Sequence, residues 1–397
     1  MGPLEGIKVI DLTSVVMGPY ATQVLAEFGA DVIKIEAPAG DLVRAIGPAR
    51  HSGMGPMFLN SNRGKRSITL DLKTPEGREV VLELCRSADV LAYNVRPAAM
   101  ARLGLSFEAL AEVNPRLIYA GLYGFGQNGP YAARPAYDDL IQGGATLAHL
   151  FRLSGNEEPR YVPTAISDRV VGLTGVAGIL AALVARGRTG RGQRVDIPMF
   201  ETMVQFVLSD HLGGLSYDPP LDGGGYARQL SVNRRPLKTA DGYICALVYT
   251  DEHWKRFLTA LGEEEKLRDP RFADYVGRSV NIDHVYGWMT GVFLTRSTAE
   301  WQALFEEIDV PAMPLHDFDS VLRDPHLTAV DFFARVEHPS EGALRVMRNP
   351  VALSDTPVTL PGPAPRQGEH SRDILRGAGL SEAQIDSLFE KQVVRGL

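Results

Sequence analysis

IKVIDLTSVVMGPYATQVLAEFGADVIKIE, from Ile7 to Glu36, decides the class of fold. Ile7–Leu12 and Asp31–Ile35 are short runs rich in β-branched and apolar residues, the composition of buried strands. Between them, Tyr20 to Phe28 reads as a helix. Strand, helix and strand in that order form a βαβ unit, whose strands lie parallel. The alternation continues downstream. Strand-like runs at Ser67–Leu72, Val90–Tyr93 and Leu117–Leu122 alternate with helical patterns at Glu76–Ser87, Met100–Leu103 and Phe107–Val113. Thr74 offers an N-cap to the helix at Glu76, and Pro75 suits its first turn. The spacing predicts an α/β fold, a parallel sheet covered by helices.

The bulk numbers bound the rest. A chain of 397 residues is long for one core, which favours two domains. A formal net charge of −7 argues against a nucleic-acid or membrane-surface role for the whole protein, while leaving room for a local basic site. The two cysteines, Cys85 and Cys245, read as reduced core residues rather than a disulfide or metal pair. No stretch of 18 unbroken apolar residues suggests a membrane span, and the N-terminus shows no signal pattern, so a cytoplasmic enzyme is the expectation.

The composition changes between Gly213 and Gly225, where GGLSYDPPLDGGG reads as an extended linker. Beyond it, two strands flank the Asp241–Gly242 turn, and helices follow near Asp251–Leu261, Asn281–Phe293 and Thr298–Ile308. The expected organisation is a large α/β domain over 1–215, a small α+β domain over 226–315, and a C-terminal segment, 316–397, returning to the large domain. That segment ends in short helices near Arg372–Gly377 and Ser381–Lys391.

PTAISDRVVGLTGVAGILAALVARGRTGRGQRVDIPM, Pro163 to Met199, holds the most informative side chain. Asp168 stands at the head of a run so apolar that the helix should be buried on most sides. Gly172, Gly175 and Gly178 recur every third residue and admit a neighbouring backbone. Near the positive end of a helix dipole a carboxylate should stay ionised. Such a group can attack an activated acyl carbon. The plainer reading is that Asp168, or Ser167, caps the helix.

Other chemistries lack their signatures. The first strand is followed by no G-x-G-x-x-G, and Gly121, Gly124, Gly126 and Gly129 are wrongly spaced for a dinucleotide fingerprint. No Walker loop, G-x-S-x-G elbow or zinc-ligand cluster occurs, so no metal is expected.

Several ordered phrases carry a resemblance: GPYATQVLAEFGADVIKIEAPAGD, NRGKRSITLDLKTPEGR, NVRPAAMARLGL, NPRLIYAGLYGFGQNGPYAARPAYD and the Asp168 segment. Together they resemble the class III coenzyme A transferases, the family of formyl-CoA, carnitine and bile-acid CoA-transferases, and the likeness spans essentially the whole chain. The superfamily also holds the α-methylacyl-CoA racemases. The resemblance implies a Rossmann-like large domain with a smaller α+β domain, an interlocked homodimer, coenzyme A thioesters and carboxylic acids as substrates, and no tightly bound cofactor. Asp168 matches the family's nucleophile. Racemases carry a His-Asp pair where this chain has Tyr137 and Asp138, the transferase-like pattern; a tyrosine is a poor base at neutral pH. Tyr137 also reads as a packed aromatic beside the site.

The family's CoA-binding positions fall on Leu70, Lys73, Asn94 and Arg102, with Arg96, Arg44, Arg63 and Lys65 as further cationic candidates; each of the basic residues could equally be a solvated surface charge. Two departures stand out. Val16 replaces a substrate-contacting glutamine of formyl-CoA transferase, which speaks against an oxalate-like substrate. Ala37 replaces an arginine, removing one cofactor contact. The run Gly223–Gly225 reads as a linker more readily than as the family's glycine loop. Arg228, Arg234, Arg235 and Lys238 form a basic run that suits a dicarboxylic acid or a solvated patch. Three alternatives stay open: an α-methylacyl-CoA epimerase, a non-catalytic CoA-binding paralogue, and a dehydrogenase, the last disfavoured by the missing fingerprint.

Overall fold

A computed structural model describes residues 2–396. The chain divides into two compact units: Met1–Ala145 with Val162–Gln205 and Thr328–Leu397, and Thr146–Tyr161 with Phe206–Leu327.

The first unit is built on six parallel strands: β1 (Lys8–Leu12), β2 (Asp31–Glu36), β3 (Lys65–Leu70), β4 (Val90–Tyr93), β5 (Ile118–Tyr123) and β6 (Arg194–Pro198). Their spatial order is β3-β2-β1-β4-β5-β6. Val9 lies opposite Val32 on one side and Val90 on the other, which fixes the register at the centre. Every residue of β4 and β5 is buried, as a parallel sheet covered on both faces requires. Its helices include α1 (Met17–Glu27), α2 (Pro75–Arg86), α3 (Pro97–Arg102), α4 (Phe107–Val113), α5 (Asp138–Gly144) and α6 (Ile166–Thr189). Thr74 caps α2 through a hydrogen bond from Gly77 N–H, with Pro75 behind it. One core cluster joins β1–β5 to α2, α3, α4 and the terminal helices.

In this order the strand sequence reverses direction between β1 and β4. Loops leaving the carboxyl ends of those two strands diverge to opposite faces and leave a crevice between them, the usual ligand position in open α/β sheets.

Helix α6 has 24 residues and is apolar and long enough to cross a membrane. It is not buried on most sides. Ser167, Val171, Gly172, Gly175, Val176, Ile179, Ala182 and Arg186 form its buried face, while Leu173 and Val184 are 50% and 65% exposed. The buried face packs on α1, β5 and β6. The glycines explain the close approach: a β-carbon at Gly172 would lie 2.8 Å from the Met17 carbonyl oxygen, and one at Gly175 would lie 2.7 Å from Leu122 Cδ2.

The second unit contains an antiparallel sheet of β7 (Leu237–Lys238), β8 (Tyr243–Ala246) and β9 (Ala312–Pro314). Three amphipathic helices accompany it: α7 (Asp251–Leu261), α8 (Ile282–Phe293) and α9 (Thr298–Glu307). Its core is aromatic, with Phe293 and Trp301 stacked at 4.6 Å and the Trp301 indole donating to the Phe293 carbonyl.

The hairpin β10 (Phe333–His338) and β11 (Gly342–Met347) belongs to the first unit, as do helices α10 (Ser371–Gly377) and α11 (Glu382–Glu390). A final strand, β12 (Val394–Arg395), pairs antiparallel with β3 and covers that edge of the sheet. The units differ from the limits read in the sequence: Thr146–Tyr161, Phe206–Leu215 and 316–327 all lie with the second. The Gly213–Gly225 stretch is no extended linker. Asp222 accepts from Gly214 N–H and Gly224 N–H, and Gly225 N–H donates to the His211 carbonyl, so the segment folds back on itself.

Candidate active site

The crevice at the strand reversal is a cleft of about 430 Å³, lined from the β1–α1 turn, the β4–α3 turn, the end of β5, Arg134–Tyr137 and Asp168. Its walls are built from below. Asp11, at the end of β1, is fully buried, and burial alone would raise its pKa; Lys65 and Lys34, with the Thr13 and Thr22 hydroxyls, overcome this and hold the carboxylate ionised. Lys65 Nζ lies 3.0 Å from Asp11 and also donates to the Pro19 carbonyl and Asn62. Lys34 pairs with Asp41 at 3.0 Å and donates to the Thr13 carbonyl. Asp41 in turn accepts from Val15 N–H. Val15 sits at φ +70, which is costly for a β-branched residue, and this buried clamp holds it there on the cleft wall.

Asn94 bridges the two diverging loops. Its Oδ1 accepts from Ser14 N–H at 3.0 Å and its Nδ2 donates to the Ser14 carbonyl at 2.7 Å. The side chain is thereby committed to shaping the crevice.

Asp168 reaches the cleft from the first turn of α6. It does not cap the helix. Ala165 occupies the N-cap with no side-chain bond, and the cap is supplied from a distance: Asp138 Oδ1 accepts from Asp168 N–H at 3.0 Å. Asp138, the first residue of α5, is held by Gln142, whose Nε2 donates to Asp138 Oδ2 at 2.6 Å and whose Oε1 accepts from Val162 N–H at 2.8 Å. The Asp168 carboxylate accepts no hydrogen bond among the described residues. Burial, then the neighbouring Asp138 charge, push its pKa up to about 7, against the opposing pull of Arg169. The helix end therefore does not keep it fully ionised at neutral pH, because desolvation and a like charge outweigh the dipole.

A carboxylate in a walled cleft, free of hydrogen bonds and near its titration midpoint, is equipped as a nucleophile or a base. The model of CoA-transferase family III matches residues 4–371. The chain belongs to CoA-transferase family III. Among its relatives, succinate–glutarate CoA-transferase of Agrobacterium fabrum is 33% identical, covering 94% of this chain and 95% of that protein. The succinyl-CoA–L-malate CoA-transferase beta subunit of Chloroflexus aurantiacus is 32% identical over 99% of this chain and 98% of its own. A crystal structure of a CAIB/BAIF family protein from Brucella suis superposes with a TM-score of 0.78 at 33% identity, covering 95% of this chain and 99% of that one.

In this CoA-transferase the candidate residues divide. Asp168, Tyr137, Asn94 and Arg96 meet at one cleft, as does Val16. Tyr137 is no packed aromatic; it is 67% exposed. Leu70, Lys73 and Arg102 line no part of the cleft: Leu70 is fully buried in the core, and Lys73 and Arg102 are exposed. Arg44, Arg63 and Lys65 are not open phosphate ligands, since each is buried against a carboxylate, respectively Glu36, Glu27 and Asp11. Sequence reading passed over Arg134 and Gln142. Arg134 lines the cleft with its guanidinium 4.0 Å over the Tyr131 ring. The i,i+4 spacing of Asp138 and Gln142 on a helix was the available signal for the second.

Proposed function

We propose that the enzyme moves coenzyme A between an acyl-CoA and a free carboxylic acid through covalent intermediates on Asp168. The observation that carries this is the Asp168 carboxylate itself, which caps no helix, accepts no hydrogen bond among the described residues and lines the crevice at the strand reversal. An Asp168 oxygen attacks the donor thioester carbon; the C–S bond breaks, giving a mixed anhydride and CoA thiolate. The thiolate attacks the aspartyl carbonyl, the C–O bond breaks, and the donor acid leaves as a carboxylate. The acceptor carboxylate then attacks this aspartyl thioester, expelling CoA thiolate and forming a second anhydride. Attack of the thiolate on the acceptor acyl carbon yields the new thioester and restores the Asp168 carboxylate. No net proton is exchanged, so the chemistry requires only that Asp168 begin ionised.

The positive end of α6 favours the oxyanion formed at each stage. Arg96 and Arg134 flank the cleft without a carboxylate partner among the described residues and suit the phosphates of coenzyme A or the carboxylate of the incoming acid. Asn94 positions the crevice floor. The names of the Agrobacterium and Chloroflexus relatives point to four- and five-carbon dicarboxylic acids as the first acceptors to try. Leu173 and Val184 on the outward face of α6 fit a homodimer, and nothing in the chemistry calls for a membrane or a bound cofactor; the site suits a cytoplasmic enzyme. A panel of acyl-CoA donors against carboxylic acids, read by mass spectrometry of exchanged thioesters, tests the reading. Transfer should occur with the native enzyme and fall by at least about a thousandfold in Asp168→Ala. Near-normal transfer by that variant, or α-proton exchange with no acceptor acid, would refute it.

A further inference from the structure

The second unit holds a larger cleft, about 550 Å³, made entirely of its own residues. Its floor is apolar: Leu237, Val248 and Met289 are buried side chains that contribute to this cavity. Its rim is cationic, with Arg228, Arg234 and Arg235. Lys238, the fourth member of the basic run, lies outside it. None of the three guanidinium groups has a carboxylate partner among the described residues. Arg228 is half-buried; it donates long hydrogen bonds to tyrosine hydroxyls, Tyr226 at 3.3 Å and Tyr286 at 3.5 Å, and its guanidinium lies 5.6 Å from the Tyr226 and Tyr249 rings. A partly desolvated cation fixed by neutral groups retains most of its attraction for an anion.

We propose that this cleft binds a free apolar carboxylic acid, its carboxylate on Arg228, Arg234 and Arg235 and its hydrocarbon body along Leu237, Val248 and Met289. A volume in this range, mostly apolar with a few converging polar groups, is that of an ordinary small-molecule site. The apolar floor favours a monocarboxylate over a dicarboxylate, whose second charge would lie against it unpaired. That such an acid belongs to the transfer reaction rests on the function proposed above; that the cleft binds it does not.

The protein carries its own probe. Cys245 is exposed and lines the cleft, whereas Cys85 is buried, and burial pushes its thiol up to about 12. Reaction with a chromogenic disulfide reagent therefore reads Cys245, and Cys245→Ser supplies the blank. Octanoate should slow the reaction of Cys245 in a saturable manner, while octanol and octylammonium should not. Arg234→Ala with Arg235→Ala should weaken octanoate protection by about tenfold or more, the loss of charge-assisted hydrogen bonds. Asp168→Ala should leave protection unchanged, which separates this site from the transfer chemistry. Equal protection by octanol, better protection by succinate or by coenzyme A, or full protection in the double variant would each overturn the proposal. So would a Cys245 that fails to react in the ligand-free protein, because the cleft would then be covered, by a second copy for instance.

Discussion

Asp168 carries a conflict between stability and chemistry. Its folded pKa stands near 7, above the 3.8 of an unperturbed aspartate, so the folded state binds the proton more tightly than the unfolded chain does. The contribution of Asp168 to stability is therefore constant below pH 4, falls as pH rises from about 4 to 7, and stays reduced above that. Asp168→Asn removes the titration. It should leave stability at pH 4 nearly unchanged and raise it at pH 8 by up to about 4 kcal/mol, measured by denaturant unfolding at both values. Asp138→Asn tests the electrostatic neighbour. The asparagine oxygen can still accept from Asp168 N–H, but the like charge is gone, so the acidic limb of the kcat/KM profile should move to lower pH. An unmoved limb would mean that Asp168 does not limit the rate by its ionisation. None of this charge behaviour was legible in the sequence. Burial and the approach of Asp138 are tertiary facts, and the helix dipole visible in the sequence points the opposite way.

At the scale of elements, the glycines of α6 separate packing from propensity within one helix. Gly172 faces the α1 backbone, whereas a β-carbon at Gly187 would meet nothing within 4 Å. Gly172→Ala should cost about 1–3 kcal/mol by overpacking, and Gly187→Ala should gain about 0.5–1 kcal/mol from helix propensity. Thermal unfolding of the two variants reads both signs. The strands and most helices were legible because their apolar periodicity is local: Val90–Tyr93, Phe107–Val113 and Asp251–Leu261 have the bounds the pattern predicts. The start of α6 was not, because its cap is a carboxylate contributed by α5 and not by Ser167 or Asp168. Strand β12 was missed for a related reason. Two residues carry no period, and only pairing with Leu70 and Thr69 makes them a strand.

For the whole molecule, the strand order places the crevice, and the crevice selects which of the sequence candidates can act together. Arg96 and Asn94 share it with Asp168, while Lys73 and Arg102 do not line it. The positive residues near the sheet looked alike in sequence; burial divides them, turning Lys65, Arg44 and Arg63 into partners of buried carboxylates. Lys65→Met should accordingly destabilise the fold by about 3–5 kcal/mol in urea unfolding, because Asp11 would remain buried without its closest cation. If the outward face of α6 is a dimer contact, sedimentation equilibrium should return twice the 43.3 kDa of one chain, and Val184→Asp should lower that mass. The covalent path is tested most directly by trapping. The enzyme is incubated with an acyl-CoA, treated with hydroxylamine, digested and sequenced by mass spectrometry. A hydroxamate confined to Asp168, dependent on the acyl-CoA, is the predicted result; a hydroxamate on another residue, or an unmodified Asp168 in an enzyme that turns over, would contradict it.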